Sequence, residues 1–529
     1  MRCLIRLGAT GCIEVVSPYD AVTQAQLRGI RPRGEWSGHR RCWEFPLEAA
    51  LAVQSTLAGR FAVDSELEQW LHWMRQPLPP LPPHRQLVSE ATLDRPLADG
   101  RFLFAHQRAA ARWLLARRGA VLADAMGLGK TLSALAAARA MVRVADCRVL
   151  VIAPVGLHDH WRREAISLGL QLELHSWARI PDTLPPAGTV LIADEAHHAQ
   201  NLHTLRSRAL LRLSRHPRLR AAWLLTGTPM KNGRPVQLYP LLAVIDHPLA
   251  RQRHRFEELF CQGHWRDQGG RRIWQASGAS NLPELQRLIR PLVLHRRKQD
   301  CLDLPPKTRR LQPVVLEQAQ ERAFQHRLEQ TVAAYRRRAA RGEVRREAEV
   351  LAVFTALRQI SSDHKLPAAE ALIRPLLSDQ QAVVVFTAFV ASARLLLHRL
   401  GTGLLLSGSV PVSERQRRVD AFQAGCSPLL VATYGTGGLG FTLHRARHVL
   451  LIERPWTPGD AEQAEDRCHR IGMEGGLTCH WLQLGVADQL VDALIASKAE
   501  RIALTLHRGE QLLRRRAFPT MVRELLRLW

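Results

Sequence analysis

The sequence predicts an α/β protein with two parallel-sheet lobes and helical insertions, preceded by a small N-terminal α+β module. Three observations predict it. Short apolar runs recur along the chain: GAVLAD (119–124), RVLVIAP (148–154), TVLIAD (189–194), AAWLLTG (221–227), AVVVFTA (382–388), PLLVAT (428–433) and HVLLIE (448–453). They are continuous rather than alternating, as in strands buried on both faces, and helical stretches separate them. The runs fall into two groups, 119–227 and 382–453, with a charged, largely helical stretch between them that includes RRRAARGEVRREAEV. Finally, PLPPLPPH at 77–84 is a stiff extended spacer that sets the N-terminal segment apart.

The expected organisation follows. Residues 1–76 form a small accessory module and 77–98 a Pro-rich linker. A first lobe with a helical insertion spans 99–310, and a helical connector spans 311–375. A second lobe covers 376–490, and 491–529 form C-terminal basic helices that brace the lobes or touch a partner. A chain of 529 residues accommodates this number of domains.

Composition narrows the function. The formal net charge is +26, a field that favours a polyanion. Only six of the 74 basic residues are lysines, so genomic base composition accounts for arginine over lysine. It does not account for 74 bases against 48 acids. No apolar run reaches the ~18 residues of a membrane span, and MRCLIRLGATGCIEVV lacks the long apolar region of a signal peptide. The expected setting is cytoplasmic, at a bacterial nucleoid, and the expected state is a monomer. Nine cysteines without a CxxC pair exclude disulfide and zinc-ribbon frameworks. Cys261 and His264, in CQGHW, read as isolated residues rather than as a ligand pair.

The chemistry is concentrated in a few motifs. LADAMGLGKTLSALAAA reads as a strand, a glycine-rich turn and an Ala-rich helix. Gly127 and Gly129 would let backbone N–H groups close around phosphates at the helix N-terminus. Lys130 would reach the β- and γ-phosphates of ATP, and Thr131 would hold Mg²⁺. Asp124 occupies the position where the phosphate-loop consensus has its first glycine.

TVLIADEAHH places Asp194 and Glu195 at the end of another strand of the same sheet, where ligands bind. Asp194 is expected to bind Mg²⁺, and Glu195 to orient and deprotonate the attacking water. A zinc reading fits poorly. His197 and His198 are adjacent, so both cannot face one ion from a helix, and HExxH is absent.

Together these motifs resemble the helicase-like ATPases of superfamily two, in their SWI/SNF branch, over roughly residues 100–505. The resemblance implies two RecA-like lobes. FAHQRAAARWLL is similar to the adenine-reading segment, with Gln107 at the adenine edge. VLVIAPVGLHDHWRRE looks like the motif that follows the phosphate loop, and LHRRKQDCLDLPPK like the junction that ends the first lobe. WLLTGTPMKN resembles the motif linking hydrolysis to DNA, placing Thr226, Gly227 and Thr228 there.

In the second lobe, VVVFTAF looks like the opening strand, and Gly408, Arg415 and Phe422 match a Gly…Arg…Phe segment. GTGGLGFTL resembles a glycine-rich nucleotide motif with Gly438 and Gly440, and ends in Thr442 where many remodellers carry Asn. QAEDRCHRIG carries the family's paired arginines, Arg467 and Arg470. Their charge would arrive at the γ-phosphate from the opposite lobe on closure. Ala125 and Met473 replace residues common in the branch, an acid and a Gln. Of the rival readings, only a non-hydrolysing scaffold draws on them, through Ala125.

QAEDRxHRIG, Thr442 and KLPAAEALI resemble the annealing-helicase, HARP-type subgroup, which acts at forks. GIRPRGEWSGHRRCWEFPLEAALAVQSTL resembles its small DNA-binding module, with Trp36, Arg40, Arg41 and Trp43 as DNA contacts. The alternative makes Trp43 and Phe45 core strand residues and the arginines a solvated loop. The resemblance thus implies a translocase on duplex or forked DNA, without sequence preference, alongside replication or repair proteins. A strand-separating helicase and a protein-displacing translocase are the alternatives within the enzyme class.

Overall fold

The computed structural model describes residues 3–8, 12–74, 93–143, 147–184, 188–341, 347–437 and 441–506. The spacer at 77–84 and the expected basic helices beyond 506 lie outside these. The chain divides into two compact units that meet in sequence at Arg296 and Arg297.

The N-terminal module is a mixed five-stranded sheet: β1 (Leu4–Leu7), β2 (Ile13–Val16), β3 (Glu35–Ser37), β4 (Cys42–Phe45) and β5 (Ala62–Val63), in the order β3-β4-β2-β1-β5. Helices Ala21–Gly29, Ala50–Thr56 and Ser65–Met74 accompany it. Asp20 caps the first of these, accepting the Thr23 N–H at 2.8 Å. The module's core, including Ile13, Val15, Phe45 and Trp70, is continuous with that of the first lobe. The Trp70 ring lies 6.1 Å from that of Phe260. The module is therefore built onto the lobe rather than held beside it.

The first lobe carries a six-stranded parallel sheet. Its strands are β6 (Gly119–Leu122), β7 (Cys147–Ile152), β8 (Glu173–His175), β9 (Gly188–Asp194), β10 (Leu219–Leu225) and, after the hairpin β11 (His264–Gln268) and β12 (Arg271–Gln275), β13 (Val293–Leu294). The order is β13-β6-β10-β9-β7-β8. Alternate residues feed opposite cores. Leu122, Val151, Ile192 and Trp223 pack with helices Ala105–Leu115, Lys130–Val142 and His158–Ser167. Val121, Leu150, Leu191 and Leu224 pack on the other side, with helices Leu205–Ser214, Leu238–Val244 and Arg253–Cys261. Burial of both faces is why these strands read as unbroken apolar runs.

The second unit repeats the plan with β14 (Lys307–Pro313), β15 (Val383–Thr387), β16 (Leu404–Leu406), β17 (Leu429–Thr433), β18 (His448–Leu451) and β19 (Leu477–Gln483). All run parallel, in the order β14-β19-β18-β15-β17-β16. Strand β14 pairs with β19 along its whole length, so the second sheet takes in 307–313, ahead of the second lobe expected at 376–490 and inside the stretch expected to end the first lobe and open a helical connector. Two long helices, Gln318–Ala340 and Glu347–Ser378, follow it. Lys365 is fully buried on the second helix, where it donates to the Ile452 carbonyl at 2.9 Å and pairs with Asp488. Among the described residues no helix is long and apolar enough to cross a membrane.

Candidate nucleotide site

The glycine-rich turn follows β6. Gly127 and Gly129 take φ of +87° and +74°, a region where a side chain is strained. Gly129 has a second constraint, because a Cβ there would run into Gln107 Nε2. Gly129 is also the N-cap of helix Lys130–Val142, and no side chain caps that end. The first-turn N–H groups and the helix dipole therefore suit an anion. Lys130 Nζ donates to the Asp124 carbonyl at 2.8 Å, and Thr131 follows in the first turn, partly exposed.

Gln107 Oε1 accepts the Phe104 N–H at 3.0 Å. The exposed Phe104 ring stacks on His106 with centroids 5.7 Å apart. An aromatic face and an amide therefore flank the turn.

Asp124 is 1% exposed and holds Arg296 through both carboxylate oxygens, one of them at 3.0 Å. Arg296 also donates to the His106 carbonyl at 2.8 Å. The acid at the expected glycine position is thus an anchor for the end of the lobe. Asp124→Gly, which restores the consensus glycine, is expected to destabilise the protein by about 3 kcal/mol, because it leaves a largely buried guanidinium without its carboxylate. The midpoint of thermal unfolding checks this, and an unchanged midpoint would mean that the pair contributes nothing net.

Asp194 ends β9, 6% exposed. Its Oδ2 accepts from Trp161 Nε1 and its Oδ1 from the Glu195 N–H, both at 2.9 Å. Trp177 Nε1 donates to its carbonyl at 2.9 Å. Burial, then the neighbouring Glu195 charge, push the Asp194 carboxyl above its ordinary range, while Trp161 and Lys130 pull the other way. Glu195 adopts φ 50°, ψ 48°, a left-handed conformation uncommon outside glycine. His197 Nδ1 lies 3.2 Å from Glu195 Oε2. His198 lies between His197 and Trp177, tilted against both rings, and burial pushes it down to about 4, so it is neutral near pH 7. Among the described residues, Glu14, Cys42 and Glu44 in the N-terminal module bring three possible metal-ligand atoms within 4.8 Å of one another.

The third motif meets the other two. The Thr226 N–H donates to the Leu122 carbonyl at 3.1 Å, and the Thr228 N–H to Thr226 Oγ1 at 3.1 Å. A Cβ on Gly227 would press into Met126, 2.8 Å away, with Lys130 Nζ at 3.6 Å. Gln200 Nε2 donates to the carbonyls of Thr228 and Pro229, at 3.1 and 2.7 Å. One amide thus ties the loop after Glu195 to the loop carrying Thr226, Gly227 and Thr228.

In the second unit, helix Pro458–Asp466 is capped by Thr457, whose Oγ1 accepts the Asp460 N–H at 3.2 Å, and it ends at the buried Arg467. The Leu443 N–H donates to the Arg467 carbonyl at 2.8 Å. Arg470 Nη1 donates to Thr442 Oγ1 at 2.9 Å, so two of the expected residues lie side by side. An ionic layer supports them. Glu465 pairs with Arg309 at 2.7 Å and accepts from Trp481 Nε1 at 2.9 Å. Asp466 pairs with Lys298 and Lys307 at 3.0 and 3.2 Å. Burial pushes Asp466 up, yet Lys307 and Lys298 hold it below its ordinary value. Gly438 and Gly440 lie outside the described residues.

In the N-terminal module Trp36 is half exposed, and its ring is 6.3 Å from that of Trp43. Arg40 pairs with Glu14 at 2.8 Å, and Arg41 is exposed with φ +50°. Trp43 is buried in β4 and donates to Gln24 Oε1 at 2.9 Å, as the core-strand alternative has it.

Residues 106–168 and 184–366 match the model of the SNF2-related domain, and 365–472 match that of the helicase conserved C-terminal domain. The chain belongs to the SNF2-related ATPases. Its two domains are those of an ATP-binding ATP hydrolase, and each is built on one of the two parallel sheets.

Among curated relatives of this SNF2-related chain is the DNA annealing helicase and endonuclease ZRANB3 of Mus musculus. It is 29% identical over 431 residues, which are 74% of this chain and 40% of the relative. The putative ATP-dependent helicase/translocase YwqA of Bacillus subtilis is 27% identical over 455 residues, 74% of this chain and 47% of the relative. The chain thus spans less than half the length of either. A solved SWI2/SNF2 ATPase core of Sulfolobus solfataricus, in complex with dsDNA, is 21% identical at a TM-score of 0.36, covering 77% of this chain and 93% of that one.

Four features of the SNF2-related site escaped sequence reasoning: Phe104, Trp161, Gln200 and the Asp124–Arg296 pair. Trp161 had a signal, as a lone large aromatic in the polar stretch HDHWRRE. Gln200 had none, since its role depends on a loop 28 residues away.

Proposed function

We propose that this SNF2-related ATPase couples ATP hydrolysis to movement on duplex or forked DNA, rewinding or remodelling it without reading its sequence. The observation that carries the reading is the Gln200 bridge, which links the hydrolysis loop to the loop proposed to contact DNA. In this reading Lys130 and the glycine turn bind the phosphates, and Gln107 reads the adenine. Glu195 activates the water, and Arg467 and Arg470 offset charge on the γ-phosphate. Thr131 and Asp194 supply the hard oxygen ligands that Mg²⁺ prefers. When bound, Mg²⁺ would neutralise charge on the phosphate oxygens. The net charge of +26 supports a polyanionic track.

The test is ATP hydrolysis without DNA, then with single-stranded, duplex and forked DNA, with Lys130→Ala as control. Strong stimulation by duplex or fork, lost in the variant, is the expected result. Turnover indifferent to every DNA would sink the reading. Strand-separation and protein-displacement assays then sort out the mode of action.

The raised Asp194 carboxyl adds a pH prediction. Only its ionised form holds Mg²⁺, so on acidification from neutrality the proton competes with the metal early. At limiting Mg²⁺, turnover is expected to fall as pH drops, and excess Mg²⁺ to restore it. A pH profile unmoved by Mg²⁺ concentration would contradict the assignment.

A further inference from the structure

The β11–β12 hairpin belongs to neither large sheet. It leaves helix Arg253–Cys261 and returns to helix Leu282–Ile289, with Gly269 and Gly270 at its tip, both at positive φ. A two-stranded ribbon is marginal alone, and among the described residues this one is fastened at its base. Trp274 Nε1 donates to Glu257 Oε2 at 2.7 Å, and Glu257 is buried and pairs with Arg253 at 2.7 Å. His254 packs on the Trp274 ring, with centroids 3.9 Å apart. A Cβ on Gly263 would strike the same indole at 2.5 Å, so the base is closely fitted.

Beyond the base the ribbon is exposed, and its composition is unusual for a solvated turn. Trp265, opposite Trp274 in the register, is 54% exposed, and Ile273, opposite Arg266, is 48% exposed. Arg266, Arg271 and Arg272 are exposed, against one acid, Asp267. Trp265 meets the Trp274 ring edge-on, with centroids 5.4 Å apart, yet more than half of it stays in solvent, and the nucleotide site does not account for it, an exposed isoleucine and three arginines held out together on a braced ribbon. A large indole beside guanidinium groups is the chemistry that stacks unpaired bases and neutralises their phosphates, with little regard for sequence.

We propose that this hairpin binds unpaired DNA bases at a fork, Trp265 stacking a base and Arg266, Arg271 and Arg272 holding the backbone. This rests on the DNA-motor reading and specifies where that motor meets single-stranded DNA.

The test uses the full chain and a synthetic fork carrying 2-aminopurine at its first unpaired position, with a blunt duplex of the same sequence alongside. Wild-type protein is expected to quench the 2-aminopurine. Trp265→Ala is expected to weaken fork binding about tenfold and to abolish the quench, while duplex-stimulated turnover is retained. The double charge reversal Arg271→Glu with Arg272→Glu, on exposed side chains, is expected to weaken fork binding and flatten its salt dependence. Fork affinity unchanged in both variants would overturn the proposal. So would equal losses on fork and blunt duplex. If wild-type turnover ignored all DNA, the motor reading would fail instead, and fork binding by the variants would still judge the hairpin.

Discussion

Glu195→Gln is expected to lower turnover about a thousandfold, the range of a lost general base, while ATP still binds. The substitution keeps size and hydrogen-bonding reach, and removes basicity together with the negative charge that raises the neighbouring Asp194 carboxyl. It also keeps the backbone problem unchanged. Glu195 sits at φ 50°, and such strain persists where the surroundings over-determine it. Here they do, because its N–H donates to Asp194 Oδ1 at 2.9 Å and His197 lies 3.2 Å from its carboxylate. Nucleotide binding by fluorescence and single-turnover hydrolysis would be measured together. Loss of binding along with rate would assign Glu195 to phosphate affinity. An unchanged rate would remove it from the chemistry.

The second large effect concerns Arg470. Arg470→Ala is expected to reduce kcat about a thousandfold, as when a charge that stabilises phosphoryl transfer is removed, with the KM for ATP little changed. Arg470→Lys should not restore it. The guanidinium is spread between the Asp466 carbonyl at 3.0 Å and Thr442 Oγ1 at 2.9 Å, a fork that a single ammonium does not reproduce. Turnover by the alanine variant within a few-fold of wild type would reduce Arg470 to a brace for the glycine-rich segment. The side chain is half-buried and donates to the carbonyl of Asp466, whose carboxylate pairs with Lys298 and Lys307, so a melting curve should accompany the kinetics.

The central strands of both lobes were legible because burial on two faces leaves a continuous apolar signature, as in VLVI of β7 and VVVF of β15. The edge strands were not. β14 reads KTRRLQP and is largely exposed, so nothing apolar marks it, and β8 and β16 are three residues each. The hairpin had a signal that went unread. The Gly-Gly of HWRDQGGRRIWQ is a hairpin turn signature, yet it lies in a segment whose charge suggested helix.

At the site, glycine spacing and strand-terminal acids carried Lys130, Thr131, Asp194 and Glu195, since local geometry and chemistry are written in adjacent residues. Contacts closed over long separations were invisible. Asp124 and Arg296 are 172 positions apart, and no local pattern pairs them. The presence of a small N-terminal α+β module was visible. Its attachment to the first lobe through Trp70 and Phe260 was not, because neither residue differs in kind from any other core aromatic.

The placement of β14 has a consequence for how the chain folds. Lys307 pairs with Leu477, so this strand is synthesised about 170 residues before its partner. Contacts of that span form late, after the loop between them has been closed at an entropic cost. In the interval β14 is an unpaired edge, the state in which strands recruit the wrong neighbour. Its Lys307, Arg309, Arg310 and Pro313 make it a poor template for such pairing. The polarity that hid the strand from sequence reading protects the nascent chain while it waits.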